Sequence, residues 1–164
     1  MSAKPRVNRA TAFAPATVAN VAVGFDILGF PIQAVGDKVT VERIDSHTGV
    51  EVGEVTAGTW GSTQNIPKDP GKNTASVALR AMIQELKLPH GFRVSVEKGI
   101  PLGSGMGGSA ASAVGAVVAA NATLDLPAPR ERLLAFAASG EEAASGALHA
   151  DNIAPCLFGG LTLV

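Results

Sequence analysis

A glycine- and serine-rich segment at residues 101–111, Pro-Leu-Gly-Ser-Gly-Met-Gly-Gly-Ser-Ala-Ala, is the part of this chain best suited to chemistry. Glycine allows the backbone to approach a ligand closely, and a loop rich in glycine leaves its N–H groups available as donors. The small-residue stretch that follows predicts a helix beginning near Gly108, and its first turn adds unpaired N–H donors and a partial positive charge. The segment therefore predicts an anion site, and phosphate is the ligand that it suits best.

Two familiar phosphate-binding patterns were tested against this loop. The P-loop pattern needs a Lys-Ser/Thr pair after its second glycine, but Ser109 and Ala110 follow Gly108 here, which excludes it. Residues 103–108 do fit the dinucleotide pattern G-x-G-x-x-G, although in that fold the first glycine follows its strand almost at once. Here residues 98–102 intervene after Glu97. A dinucleotide site and a purely structural turn thus stay open beside a different kind of phosphate loop.

Three further groups of polar residues could act together with the loop, and each also has an ordinary structural interpretation. They are Asn20 and Asp26, Glu141 and Glu142, and His149 with Asp151 and Asn152. The first pair could cap a turn, the second could be a solvated helix start, and the third could form a hydrogen-bonded turn. A zinc site is not indicated, because the three histidines are scattered along the chain.

Strands and helices that would position these groups can be read from the periodicity. Residues 34–44, 50–55, 92–97 and 160–164 have the composition of β-strands. In the first of them, Val35, Val39 and Val41 alternate with polar residues, and we place Asp37 on the polar side.

Helices are predicted over residues 74–86, 108–121 and 129–140, with a short one over 141–145. Asn73 or Thr74 would cap the first helix, and the polar segment 65–73 would form an ordered surface loop. Because strands and helices interleave without strict βαβ regularity, we expect an α+β fold, with a sheet layer and a helix layer, rather than a doubly wound sheet.

Composition limits the classes of partner. Hydrophobic residues make up 46% of the 164 residues, charged residues 16%, and the net charge is −1, so we expect one folded domain without a nucleic-acid or anionic-membrane surface. The apolar stretch 110–120 is too short to span a bilayer. With a single cysteine, Cys156, no intrachain disulfide can form, which favours a reducing, cytoplasmic setting and a buried, inert thiol.

Three motifs resemble one group of kinases. Residues 101–111 match, at almost every position, the central motif P-x-x-x-G-(L/M)-G-(S/G)-S-A-A of the superfamily that includes galactokinase, homoserine kinase, mevalonate kinase and phosphomevalonate kinase; Gly108 replaces the more usual serine. Residues 15–29 resemble the homoserine kinase form of the first motif, P-A-(S/T)-x-A-N-x-x-x-G-F-D-x-L-G. Residues 140–141, 145–146, 149–155 and 159–160 resemble a segment typical of homoserine kinases.

The resemblance implies transfer of the γ-phosphoryl group of ATP to the hydroxyl of L-homoserine, with Mg²⁺, in threonine biosynthesis. On the nucleotide side it implies a phosphate-binding loop that consists of Pro101, Leu102, Gly103, Ser104, Gly105, Met106, Gly107, Gly108 and Ser109. It also implies that Asn65 and Lys72 flank the adenine, and that Ser109 and Glu141 hold Mg²⁺.

On the acceptor side, the resemblance implies that Asn20, Asp26, His149 and Asn152 hold homoserine, and that Asn20, Asp26 and Glu141 form the catalytic set. Phosphoryl transfer has a loose transition state, so positioning and charge neutralisation would matter more than a strong base.

The resemblance also implies a partner domain. Homoserine kinases are usually considerably longer, with a second, ferredoxin-like half that carries arginines for the substrate carboxylate. No segment here matches that half, so we expect residues 1–164 to be the N-terminal ATP-binding domain of an enzyme that is commonly a homodimer. A related kinase for mevalonate or a sugar, and a non-catalytic nucleotide-binding domain, are the alternatives.

Overall fold

The computed structural model describes residues 7–146 and 150–164, which fold as one sheet packed against helices. In chain order the elements are β1 (Arg9–Val18), a 3-10 helix (Ala22–Gly24), β2 (Leu28–Ile44), β3 (Val50–Ala57), α1 (Thr74–Leu86), β4 (Gly91–Lys98), α2 (Gly108–Ala122), α3 (Arg130–Ser145), α4 (Ala150–Phe158) and β5 (Thr162–Leu163). The expected α+β fold is confirmed. None of the helices in the described ranges is long and apolar enough to cross a membrane.

The sheet has the strand order β1-β2-β4-β3, and β5 pairs with the beginning of β2. Strand β2 is antiparallel to both β1 and β4, whereas β3 runs parallel to β4. Lys38 on β2 pairs with Glu97 on β4. Side chains alternate between the two faces of a strand, so the adjacent residues Asp37 and Lys98 point to the face opposite that of Lys38 and Glu97.

Helix α2 forms the centre of the core. Ten of its fifteen residues are buried, and most are alanine, valine or glycine, so the helix can lie close to the sheet. A Cβ at Gly115 would come within 2.6 Å of the Val39 side chain, and one at Gly140 on α3 would come within 2.5 Å of the Thr74 carbonyl oxygen. Small residues at these contacts allow α2 to pack closely on the sheet and α3 to pack closely on α1.

Most predicted elements are confirmed, and two boundaries are corrected. Helix α1 has the predicted bounds, and the Asn73 side chain caps it by accepting a hydrogen bond from the Ser76 N–H at 3.2 Å. The expectation of a separate helix over 141–145 is wrong, because α3 continues through Gly140, which is a close-packing position rather than a stop. Strand β2 begins at Leu28, six residues before the predicted start.

Three interpretations failed where local signals were weak. Strand β1 was not predicted, since its alanines and Pro15 hide the alternation. Helix α4 replaces the turn expected at Asp151 and Asn152; these polar residues lie in its first turn, and the helix contains Pro155. Asp37 was assigned to the polar face, but it is fully buried, with the same strand parity as Val35, Val39 and Val41. The buried Cys156 is as expected, and burial raises the pKa of its thiol to about 12.

Candidate functional site

A cleft of about 870 Å³ opens where the loop before α2 meets α3, α4 and the segment that follows β1. It is lined by every site residue that the sequence predicted within the described ranges: Asn20, Asp26, Asn65, Lys72, Pro101, Leu102, Gly103, Ser104, Gly105, Met106, Gly107, Gly108, Ser109, Glu141 and Asn152. His149 lies outside the described residues. Segments that are far apart in sequence thus form one continuous surface.

The loop at residues 99–107 connects the end of β4 to the start of α2, and its conformation depends on glycine. Gly103, Gly105 and Gly107 have φ angles of 70°, 72° and 65°, in the left-handed region that other residues rarely adopt. A Cβ at Gly103 or Gly105 would meet no atom within 4 Å, so the tip of the loop is open toward the cleft. A ligand can therefore approach the backbone of the tip closely.

Helix α2 adds a second anion-binding feature next to this loop. Gly107 is the N-cap and contributes no side-chain cap, and the first turn of the helix contains no acidic residue. The Ala111 N–H bonds back to the Gly107 carbonyl oxygen at 2.8 Å, while the N–H groups of the preceding turn have no acceptor within the helix, as at any α-helix start. The helix dipole places positive partial charge at the same point.

Ser109 and Glu141 combine at the floor of the cleft. The Ser109 hydroxyl donates to Glu141 Oε1 at 2.9 Å, and the Glu141 side chain is largely buried against α2. A hydroxyl and a carboxylate side by side are oxygen donors of the kind that Mg²⁺ takes, usually with water and substrate phosphates as its other ligands. The pair therefore fits a Mg²⁺ that arrives with a nucleotide. No group of three or more His, Cys, Asp or Glu within the described ranges could hold a metal by itself.

The cleft is also lined by polar residues of the first and last motifs. Asn20 and Asp26 are exposed, and Asp26 has a φ of 59°, a left-handed conformation that Asp tolerates better than most residues. Asn152 lies on the first turn of α4, where its Oδ1 accepts the Thr17 hydroxyl at 2.6 Å. That hydrogen bond orients the amide, whose Nδ2 donates to the Asp151 carboxylate at 3.3 Å.

Thr17 is a residue that the sequence analysis quoted within a motif but did not place in the site. Its backbone N–H donates to the Met106 carbonyl oxygen at 3.1 Å, so β1 is bonded directly to the loop. A Cβ at Gly107 would collide with the Thr17 hydroxyl oxygen and approach Asn152 Oδ1 to 2.8 Å. Because β1 and α4 are 135 positions apart at this contact, no local sequence signal could have revealed it.

A buried ionic cluster, also missed, lies beneath the loop. We call it the Asp37 cluster: Asp37 on β2, Lys98 at the end of β4 and Ser112 on α2, all of them buried. Lys98 forms an ion pair with Asp37 and donates to the Ser112 hydroxyl at 3.0 Å. Strand parity was the available signal, because Asp37 and Lys98 occupy inward positions of two neighbouring strands.

Asn65 and Lys72 also line the cleft, both exposed, on the loop before α1. The loop is ordered by short-range bonds: the Lys72 N–H donates to the Asp69 carbonyl oxygen at 3.0 Å, and the Asn73 amide donates to the Pro67 carbonyl oxygen at 2.9 Å. The predicted ordered surface loop is thus confirmed, and it borders the same cleft as the glycine loop.

Comparison with known proteins gives consistent matches. The family model described as GHMP kinases N terminal domain matches residues 73–160. Homoserine kinase from Xylella fastidiosa (strain M12) is 52% identical over 159 residues, which cover 97% of this chain and 48% of that protein. Homoserine kinase from Xanthomonas campestris pv. campestris (strain B100) is 50% identical over 157 residues, covering 96% of this chain and 47% of that protein.

Solved structures agree with these relatives. The crystal structure of homoserine kinase from Cytophaga hutchinsonii superposes with a TM-score of 0.89 at 43% identity, covering 97% of this chain and 49% of that chain. Mevalonate kinase from L. major, in complex with R-mevalonate, has a TM-score of 0.72 at 17% identity, covering 98% of this chain and 50% of that chain, and shows the shared fold alone. The chain spans about half the length of the curated relatives that it matches.

Proposed function

Since this chain belongs to the GHMP kinases through the N-terminal domain of that family, we propose that it forms the ATP-binding half of a homoserine kinase. The reaction is transfer of the γ-phosphoryl group of ATP to the side-chain hydroxyl of L-homoserine, giving O-phospho-L-homoserine and ADP. The observation that carries the proposal is the convergence of an open glycine loop, a free helix start and the Ser109–Glu141 pair on one cleft.

The glycine loop and the start of α2 bind the phosphates in this proposal. Backbone N–H groups from Gly103 to Ser109 surround a negatively charged group at the positive end of the helix dipole. Such fixed donors stabilise the charge that develops on the transferring group without having to reorganise. Ser109 and Glu141 would hold Mg²⁺, whose role is to neutralise phosphate charge and orient the γ-phosphoryl group. Asn65 and Lys72 would flank the adenine.

Homoserine would bind in the same cleft as the loop, against Asn20, Asp26 and Asn152. His149 is proposed as a further acceptor contact and lies outside the described residues. Asp26 would orient the attacking hydroxyl and accept its proton late in the transfer, because a loose transition state demands little deprotonation beforehand. Asn20 and Asn152 would contribute amide groups that fix the amino-acid part of the substrate.

Two alternatives have specific support. A kinase for mevalonate or a sugar would share the fold, as the 17% identical mevalonate kinase does. The homoserine proposal is favoured by relatives at 50% identity or above whose similarity runs through residues 15–29 and 149–155. A non-catalytic nucleotide-binding domain is the second alternative, because the glycine loop and the start of α2 provide only the phosphate-binding part of the cleft.

We extend the proposal to a second domain, the cellular location, the pathway and the oligomeric state of the enzyme. A second domain, of the kind that completes the longer relatives, would supply groups for the substrate carboxylate. We place the enzyme in the cytoplasm, in threonine biosynthesis, as a homodimer.

Nucleotide binding is tested by thermal melting of the chain with and without Mg-ATP. A ligand that binds only the folded state stabilises it by about 2.7 kcal/mol at 100 times its Kd. We expect a Mg²⁺-dependent rise in Tm that Ser109→Ala and Glu141→Gln reduce. Glu142→Gln is the matched control, because Glu142 is the exposed neighbour of Glu141. A melt that Mg-ATP leaves unmoved would contradict nucleotide binding.

Acceptor identity is tested by fusing the chain to the C-terminal half of the Cytophaga hutchinsonii homoserine kinase and measuring ADP formation. We expect ADP release that requires L-homoserine and is not supported by mevalonate or galactose. Turnover of mevalonate or galactose in place of homoserine would favour the first alternative, and Mg-ATP binding without turnover of any acceptor would favour the second.

A further inference from the structure

The carboxylate of Asp37 binds both ends of the glycine loop. Its Oδ1 accepts the backbone N–H groups of Gly99 at 3.0 Å and Ile100 at 3.2 Å, where the loop leaves β4. Its Oδ2 accepts the Ser112 hydroxyl at 2.9 Å and the Lys98 ammonium, and Ser112 lies on α2, where the loop ends. One buried group thus connects the two stems of the loop.

Lys98 completes the connection and uses all its donors on protein acceptors. An ammonium group has three protons, and Lys98 Nζ has three acceptors: the Asp37 carboxylate, the Gly108 carbonyl oxygen at 2.7 Å and the Ser112 hydroxyl at 3.0 Å. Gly108 is the first residue of α2. Lys98 also lines the cleft, but its three protons are matched by these three acceptors, so the lysine holds the helix start.

The stems and the tip of the loop differ in what constrains them. Between the bonded stems, Gly103 and Gly105 adopt left-handed conformations with open space around them. Glycine carries the largest conformational freedom of any residue, so such a tip needs fixed ends to present its N–H groups in one arrangement. Fixed donors are the ones that bind and stabilise phosphate charge without reorganising.

We propose that Asp37, Lys98 and Ser112 are positioning residues that fix the two ends of the phosphate loop, and that Lys98, although it lines the cleft, acts on the nucleotide through the loop. The ligand named here rests on the proposed function, whereas the bonding pattern rests on the Asp37 cluster itself. Stability alone does not explain such a cluster, because replacing a buried ion pair by apolar residues of similar volume is often neutral or stabilising.

The test compares Mg-ATP affinity, by isothermal titration calorimetry, among four variants of the chain. Asp37→Asn removes a charge but keeps an oxygen acceptor, Ser112→Ala removes one hydroxyl, and Asp37→Asn/Lys98→Met removes both charges together, which avoids leaving one of them buried and alone. Lys38→Met/Glu97→Gln is the control, because this ion pair joins the same two strands on the exposed face. We expect each cluster variant to weaken Mg-ATP binding about tenfold or more, which is the size of effect seen when hydrogen bonds that orient metal-ligating side chains are removed. The control variant should leave Mg-ATP binding unchanged.

Asp37→Asn separates positioning from direct contact, because the two roles predict opposite signs. If Lys98 bound phosphate, freeing it from Asp37 would strengthen Mg-ATP binding. If the cluster positions the loop, the same change weakens it. Stronger or unchanged binding in a cooperatively folded Asp37→Asn or double variant would overturn the proposal.

Hydrogen exchange provides a readout that needs no nucleotide. In the ligand-free cluster variants we expect amide exchange at residues 99–110 to quicken, while exchange in α1 stays as in the wild type. Unchanged exchange in the loop would overturn the positioning role. Failure of the wild-type chain to bind Mg-ATP would instead contradict the proposed function, and the exchange result would still decide the role of the cluster.

Discussion

Two ion pairs lie at adjacent positions of β2 and β4, yet one is exposed to solvent and the other is buried. Lys38 and Glu97 are directly paired across β2 and β4, with a 3.1 Å contact and side chains 57% and 45% exposed. At the neighbouring position of each strand, Asp37 and Lys98 face the core, with side chains 0% and 4% exposed. The first pair is exposed to solvent, whereas the second forms hydrogen bonds to both ends of the glycine loop. Strand parity alone determines which pair can act on the site.

The largest expected effect comes from breaking the buried pair on one side. Lys98→Met leaves the Asp37 carboxylate buried without its counter-ion, and such changes cost about 3–5 kcal/mol. The free energy of unfolding, measured in urea, should fall by that amount. Asp37→Asn/Lys98→Met should recover part of the loss, because it removes the lone charge. Equal stability of Lys98→Met and wild type would contradict the assignment of a buried, paired ammonium.

A second comparison concerns a buried group without a counter-ion. Among the residues that the structure describes, His90 has no ion-pair partner; it packs edge-on against the Phe92 ring, and burial lowers the pKa of its imidazole below the ordinary value of 6.5. The unfolded chain therefore takes up a proton at higher pH than the folded chain. The stabilising contribution is complete above pH 6.5 and is lost as pH falls from there toward the folded pKa.

His90→Gln should remove this part of the pH dependence. Urea unfolding of the wild type and the variant, followed from pH 7.5 down to about pH 5, should show curves that differ in slope below pH 6.5. Parallel curves over the whole range would contradict the lowered pKa.

The smallest effect is expected from the exposed pair. Lys38→Met/Glu97→Gln should change the free energy of unfolding by no more than about 1 kcal/mol, because solvent screens such pairs and ordering the two side chains costs entropy. Added salt should reduce the difference further. If the free energy of unfolding fell as much as in Lys98→Met, the exposed and buried pairs would not differ in their contribution to stability, which would contradict the prediction.

Local sequence signals predicted the parts of the site that lie within one segment. The glycine loop, the start of α2 and the cap at Asn73 follow from residue types and spacing. The motif resemblance added Asn20, Asp26 and Glu141, and the structure brings all three to the cleft. These residues could be found because each belongs to a recognisable local pattern.

Residues that act through long-range contacts were missed for a physical reason. Thr17 meets Asn152 only because β1 and α4 pack against the same loop, which no window of sequence contains. Asp37 was placed on the wrong face because its charge outweighed its parity in the interpretation, although burial of a charge is feasible once Lys98 and backbone N–H groups satisfy it. When oppositely charged residues occupy inward positions of two predicted strands, a buried ion pair between them is therefore a hypothesis to consider.

In the proposed function, the loop that ends at α2 binds the phosphates of ATP. Amide hydrogen exchange of the wild-type chain, with and without saturating Mg-ATP, tests it residue by residue. We predict slower exchange at residues 101–112 upon nucleotide addition and no change in β3, which lies away from the cleft. Protection that is absent from the loop, or that appears elsewhere in its place, would contradict the claim.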